Sequence, residues 1–439
     1  MIRVLLNYIN DNLRFKDHLI RIEKIRQYDN SSYSDKKEKQ LEGLADILKY
    51  ARNNILYYKD IIHSDKYSEN ELLNIPLLNK EIIREKFSQL INPEVPALKN
   101  TSGGSTGEPV IILQCNDFDN WKHAQASYTK KKVGKTFYPR ILLIWGSERD
   151  ILETLGNWRE RFRLFFRMGK IVNSFKMKQK DVRDFVKVIN RFKPHVIEAY
   201  VQSIYEVCKY INQQGKAGFC PNGIIVSAGT CYDFMENEIR KAFPCPLINN
   251  YGSREVSDMA ASCDGRDKLH INMLTHYIEI VDDNGNPVPD GIPGNIVVTS
   301  LTNKAMPLIR YVIGDRGVKS PLKKCPRCGW EGEIIEDVIG RSVDVFKNVN
   351  GDMVDGEFVT HLFYFRDWVK KFQIIQEKTT LLIIKIVLVD NINVIPESDK
   401  NEIMNSINKV FPKCDIDWQI VDDIIYDKSG KVRYTISQL

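Results

Sequence analysis

A chain of 439 residues, 43% hydrophobic and 27% charged, has the make-up of a globular protein of two or three folding units and excludes a disordered or membrane-spanning one. Its 63 Lys and Arg against 57 Asp and Glu leave a net charge of only +6, spread along the chain, which speaks against nucleic acid as a partner. No stretch nears the roughly 18 apolar residues of a spanning helix, and the first residues break their apolar positions with Asn, Asp, Arg and Lys, unlike a secretory signal. Nine cysteines without an export signal predict a cytoplasmic location, with reduced thiols and metal where they cluster.

Residues 1–75 are read as a charged helical segment, in which YARNNILYYKDII (Tyr50–Ile62) carries apolar residues at helical spacing. Past Pro76 and another helical stretch comes TSGGSTGEPV, Thr101–Val110, with three glycines and four hydroxyls. Glycines let successive N–H groups turn toward one point and hydroxyls add short donors, so the segment reads as an anion-binding loop or as a flexible surface loop. It is not a Walker loop, since Glu108 and Pro109 follow Gly107 where Lys and a hydroxyl residue would stand. Two basic runs, Lys130–Lys135 and Trp158–Lys170, read as solvated helix faces or as a patch for an anionic substrate, cofactor or peripheral membrane contact. Apolar strands then alternate with amphipathic helices: ILLIWG, DVRDFVKVINRF, HVIEAY, VQSIYEVCKYINQQ, NGIIVSAG, YDFMENEIRKAF and PLINNYG. That order implies an α/β fold with a mostly parallel sheet covered on both faces.

From His270 the pattern turns to alternating strands and the turn DDNGNPVPDG, the mark of hairpins and a β-rich subdomain. Beyond Gly340 the chain restarts as a small α+β unit of roughly 100 residues. The expected division is 1–75 helical, 76–340 a large core domain with a cysteine-bearing subdomain at about 260–330, and 341–439 a small mobile domain.

Downstream of the glycine-rich loop lie YGSRE (Tyr251–Glu255), IRYVIGDRG (Ile309–Gly317), GRSVDVFKNVNGDMV (Gly340–Val354) and SGKVR (Ser429–Arg433). In this order and at these intervals they resemble the adenylate-forming superfamily, and within it the phenylacetate-CoA ligase family and its capsule-biosynthesis, CapK-like branch. The resemblance runs from about Leu41 to the end. It implies that Thr101, Ser102, Gly103, Gly104, Ser105, Thr106 and Gly107 hold the β- and γ-phosphates of ATP and that Glu255 binds Mg2+. Ala228, Gly229 and Thr230 would edge the acyl and adenine pocket, with Tyr251 and Gly252 at adenine and Asp315 on the ribose hydroxyls. Arg341 would sit beside the ribose where the domains join, with a hinge at Ser342–Asp344, and Lys431 would be the catalytic cation. Trp145 and Tyr200 are further candidates for the acid pocket. The chain departs from the pattern at Val110, where many members carry Lys, at Val312 in place of a second Arg, at Val343 where an acid is frequent, and at Arg254, where Thr or Ser is usual.

CPRCG, Cys325–Gly329, spaces two thiols as in a zinc knuckle, with Cys263 and His270 of CDGRDKLH as partners for a closed, structural Cys3His site. The alternative is reduced, unligated cysteines in two surface turns. The whole implies a ligase that activates a carboxylic or amino acid as its acyl-AMP and passes it to a sugar, amine, carrier or CoA in surface-polysaccharide synthesis. An aryl- or acyl-CoA ligase and a non-catalytic, zinc-stabilised nucleotide-binding protein are the other two readings.

Overall fold

The computed structural model describes residues 17–63, 66–102, 110–136, 138–145, 169–174, 179–215, 217–341, 345–364, 366–389, 392, 394–424 and 434–439. Helix α1 is His18–Asp29 and α2 is Tyr33–Asn54, the latter started by Ser32, whose side chain accepts from the N–H of Asp35. The helical run expected over Tyr50–Ile62 breaks in two. Ile55 is extended (φ −119°), α2 stops at Asn54 and a separate turn forms at Leu56–Lys59. The break brings both Ile55 and Tyr58 into the core, where the Tyr58 hydroxyl donates to Pro307 O at 3.0 Å. Leu44, Ile47, Leu48 and Ala51 form the buried stripe of α2, and with Tyr58 they join Ile278, Ile296, Val298 and Tyr311 in one core.

Strands β1 (Ala97–Thr101) and β2 (Ile111–Cys115) make a hairpin, and α3 (Asn116–Gly134) follows directly. Next come β3 (Ile141–Trp145), β4 (Gly169–Asn173), α4 (Gln179–Phe192), β5 (Val196–Tyr200), α5 (Val201–Gln214), β6 (Gly223–Ser227), α6 (Asp233–Ala242) and β7 (Leu247–Ser253). These five strands are parallel. The hairpin region supplies β8 (Ser257–Ala261), β9 (Leu269–Ile271), β10 (His276–Val281), β11 (Pro293–Ser300), β12 (Tyr311–Lys319) and β13 (Ile334–Arg341).

The parallel and hairpin regions share one eleven-stranded sheet among the described residues, in the order β10-β11-β12-β13-β9-β8-β7-β6-β5-β3-β4. Strand β7 is the seam, parallel to β6 and antiparallel to β8. Gly252 sits at the β7–β8 bulge, where a Cβ would lie 2.5 Å from Ser257 O, so no larger residue fits without moving backbone. Open α/β sheets bind ligands beyond the carboxyl ends of parallel strands, where the topology switches, and β7 delivers the YGSRE motif there.

The last part of the chain builds its own sheet. After the hairpin β14 (Val345–Lys347) and β15 (Met353–Asp355) come α7 (Gly356–Tyr364), β16 (Val369–Lys378), β17 (Leu381–Leu388), α8 (Glu397–Asn408), β18 (Asp415–Ile420) and β19 (Thr435–Ser437), with strand order β18-β17-β16-β19. Among the described residues no helix is long and apolar enough to cross a membrane.

Candidate active site

The β1–β2 hairpin and the turn after β7 are tied together by amides. Asn100 Nδ2 donates to Arg254 O at 3.3 Å and to Gln114 Oε1 at 3.1 Å, while Gln114 Nε2 donates to Arg254 O at 2.8 Å. Thr101, at the end of β1, is thereby held beside Glu255, which is 5% exposed and accepts from the Tyr311 hydroxyl at 3.3 Å. Ser102 closes the hairpin, its N–H donating to Val110 O and its Oγ accepting from the N–H of Val110, both at 3.0 Å. Val110 is 1% exposed and faces the core. The position where the resemblance implies a lysine in many members is thus turned inward in this chain.

Opposite, the Tyr251 hydroxyl donates to Asp315 Oδ2 at 2.8 Å, joining β7 to β12 across the sheet, and the backbone of Asp315 pairs with that of Arg341. Ala228 (φ 55°) and Gly229 (φ 136°) make a left-handed turn after β6, and Thr230 leads into α6. Such a φ at Ala228 costs energy that a glycine would not pay, a local strain of the kind that clusters at binding sites. Trp145 and Tyr200, at the ends of β3 and β5, meet edge to face with centroids 4.6 Å apart. The structure therefore brings Thr101, Ser102, Tyr251, Gly252, Glu255, Asp315 and the Ala228–Thr230 turn to the same end of one sheet. Gly103, Gly104, Ser105, Thr106, Gly107, the hinge Ser342–Asp344 and Lys431 lie outside the described residues, as do 158–168 of the second basic run; of Arg341 only the backbone is described.

The ligand atoms of Cys263, His270, Cys325 and Cys328 all lie within 4.8 Å of one another. Cys263 Sγ is 3.9 Å from Cys325 Sγ, and Cys328 Sγ is 3.7 Å from His270 Nε2. Zinc–sulfur bonds of about 2.3 Å in a tetrahedron put sulfurs roughly 3.8 Å apart, so the set fits a zinc ion. Gly329 (φ 76°) makes the knuckle turn, its N–H donating to Cys325 O at 2.9 Å. Burial lowers the His270 pKa to about 4, leaving a neutral ring with a lone pair to give. That ring stacks on Trp330 at 4.3 Å, and Trp330 Nε1 donates at 2.7 Å to Asp29 Oδ1, whose other oxygen accepts from Tyr128 and Lys132. The knuckle is thereby fastened to α1 and α3.

Two polar features make pairings that the motifs do not announce. Arg310 is 3% exposed and pairs with Glu279 at 3.0 Å while donating to Leu73 O, Ile75 O and Gly285 O, pinning the N-terminal helices to the sheet. Asn250 and Asp258, which flank the YGSRE stretch, bond to each other at 3.0 Å. Only the fold pairs them.

A seam between parallel and antiparallel strands carrying this set of residues, with a separate α+β unit after it, is the architecture of the adenylate-forming enzymes. The crystal structure of 2-hydroxyisobutyryl-CoA ligase in the postadenylation state with 2-HIB-AMP has the same fold, with a TM-score of 0.65 at 14% identity over 94% of this chain and 92% of that one. The same ligase with 2-HIB-AMP and CoA in the thioesterification state gives 0.61 at 14% identity, covering 94% and 91%. In sequence the chain is similar to protein CapK and to the phenylacetate-coenzyme A ligases. Residues 346–438 match the CapK C-terminal domain. Protein CapK of Staphylococcus aureus is 23% identical over 422 residues, 92% of this chain and 89% of the relative. The phenylacetate-coenzyme A ligase of Escherichia coli K12 is 24% identical over 345 residues, 74% and 77% of the two chains.

Proposed function

We propose that the protein is an ATP- and Mg2+-dependent ligase that converts a carboxylic or amino acid to its acyl-AMP and hands the acyl group to an acceptor in surface-polysaccharide synthesis. The observation that carries this reading is the 2.8 Å bond between Tyr251 and Asp315 at the β7 seam, in the same stretch of chain as the buried Glu255. A carboxylate oxygen of the acid attacks the α-phosphorus of ATP, and the α–β bridging oxygen leaves with pyrophosphate. Negative charge gathers on the phosphate oxygens in that transition state, so fixed donors and cations aimed there lower the barrier.

In this reading Asp315 accepts the ribose hydroxyls, and the Tyr251 hydroxyl orients that carboxylate while its ring stacks on adenine. Thr101 to Gly107 cradle the β- and γ-phosphates. Glu255 holds Mg2+, which when bound neutralises charge on those phosphates. Ala228, Gly229, Thr230 and Gly252 shape the wall for adenine and acid, Arg341 lies by the ribose, and Lys431 is the point charge that bridges acid and ribose oxygens. Cys263, His270, Cys325 and Cys328 hold a structural Zn2+, remote from the chemistry. The resemblance to the capsule-biosynthesis branch makes an amine or hydroxyl of a sugar or carrier the acceptor in this reading, and the likeness to phenylacetate-coenzyme A ligases makes CoA the second.

Exchange of labelled pyrophosphate into ATP, dependent on an added acid, tests the reading. We expect Asp315→Ala to raise the KM for ATP at least about tenfold, the loss of one or two hydrogen bonds to a charged group, and Lys431→Ala to abolish exchange with folding intact. Exchange unchanged in both variants would overturn these assignments.

A further inference from the structure

A group of charged side chains lies at the same seam and is used by none of the steps above. Helix α3 covers one face of the parallel strands, where Val133 packs on Val196, Ile225 and Ile248. Side chains alternate along a strand, so two residues further along β5 and β7 the same face presents Glu198 and Asn250. Lys130, three residues before Val133, reaches Glu198 Oε2 at 2.8 Å, with the two side chains 24% and 16% exposed. Asn250 Nδ2 donates to Asp258 Oδ1 at 3.0 Å, and Asp258, three residues beyond Glu255, pairs in the ladder with Gly252. Tyr200 follows Glu198 on the same face and leans on Trp145 at the strand ends. Charged and amide groups therefore continue from the Tyr251 end of β7 beneath α3.

We propose that Lys130, Glu198, Asn250 and Asp258 line the acid pocket and select an acid whose chain presents hydrogen-bond donors, an amine or a hydroxyl, over aryl and alkyl acids. The inference rests on the adenylate-forming reading and names the substrate class for that site. Lys130 and Asn250 each satisfy only part of a carboxylate's four lone-pair sites, so an apolar acyl group seated here would strip water from the rest and give nothing back, which costs free energy. An amine or hydroxyl replaces that water with a direct bond. A pocket that hydrogen-bonds its substrate rejects the analogue lacking the group far more strongly than an apolar pocket rejects one extra methylene. Burial and the neighbouring Glu198 raise the pKa of Asp258, against the bond from Asn250 and the charges of Lys130 and Lys122.

The test is pyrophosphate exchange by the full chain with amino and hydroxy acids set against phenylacetate and straight-chain alkanoates. The proposal expects exchange with polar acids, and in Asp258→Leu a KM for the polar acid raised at least about tenfold, with KM for ATP unchanged. Glu198→Gln should move the same KM, and Asp258→Asn, which keeps the shape, replaces the leucine variant if calorimetry shows that one unfolded. Exchange favouring phenylacetate or alkanoates, or an acid KM unmoved in both the Asp258 and Glu198 variants, overturns the proposal and leaves acyl-AMP formation standing. Exchange with no acid, while ATP still binds, overturns the ligase reading and this inference with it.

Discussion

His276 lies in the core, yet it holds the turn that carries Glu255. Its Nε2 is 2.6 Å from Val256 O, and a carbonyl only accepts, so that nitrogen carries the proton and Nδ1 accepts from Thr275 Oγ1 at 2.9 Å. Burial holds the ring neutral and lowers its pKa from 6.5 to about 4. Above pH 6.5 the folded and unfolded rings are both neutral and pH has no effect through this group. Between 6.5 and 4 the unfolded chain takes up the proton and the folded one does not, so stability falls with pH, by about 3 kcal/mol at the lower end. Thermal midpoints measured across that range should drop steeply in the wild type and less steeply in His276→Gln. Equal slopes would mean that the ring titrates freely in the folded state. Nothing in the sequence around THYIEI distinguishes this histidine from a surface one, because its partners, Val256 and Thr275, come together only when β10 meets the turn before β8.

At the scale of elements, the knuckle shows what short-range spacing can and cannot reveal. CPRCG is readable because two thiols and a glycine within five residues meet one metal whatever surrounds them, and Cys263 and His270 complete the set at suitable distances. Its fastening to α1 and α3 through Trp330, Asp29, Tyr128 and Lys132 spans some three hundred residues of sequence and leaves no local pattern. The strands and helices from Ile141 to Gly252 were readable for the same reason as the knuckle, since period and length are local. The joining of parallel and hairpin regions into one sheet was not, because ladder partners are set by tertiary packing. We expect one zinc per chain by elemental analysis, lost in Cys328→Ser together with a fall in the thermal midpoint. A zinc-free wild type of unchanged midpoint under a strong chelator would contradict a structural metal.

Taken whole, the molecule holds its small sheet against the large one through α5 and α6. Phe358 of α7 meets Tyr232 at 5.1 Å and Phe234 at 5.7 Å, both edge to face, while Lys409 lies 4.9 Å over the Phe234 ring. Lys209 of α5 reaches Glu402 of α8 at 2.6 Å, and Arg366 pairs with the same carboxylate at 3.0 Å. Of these the aromatic contacts matter most, since partly exposed ion pairs contribute about 0–1 kcal/mol and a buried Phe→Ala loss is about 3 kcal/mol or more. Phe358→Ala should therefore loosen the small domain and increase the radius of gyration in small-angle scattering, with Lys209→Met a weaker effect in the same direction. An unchanged radius in Phe358→Ala would mean that other contacts set the arrangement. The central claim, that the β7 seam makes acyl-AMP, is tested most directly by a single turnover of the protein with ATP, Mg2+ and a polar acid, without acceptor, followed by mass spectrometry of the quenched mixture. Acyl-AMP and pyrophosphate should form in equal amounts; ADP and phosphate in their place, or ATP bound but unchanged with every acid, would contradict acyl-AMP formation at this seam.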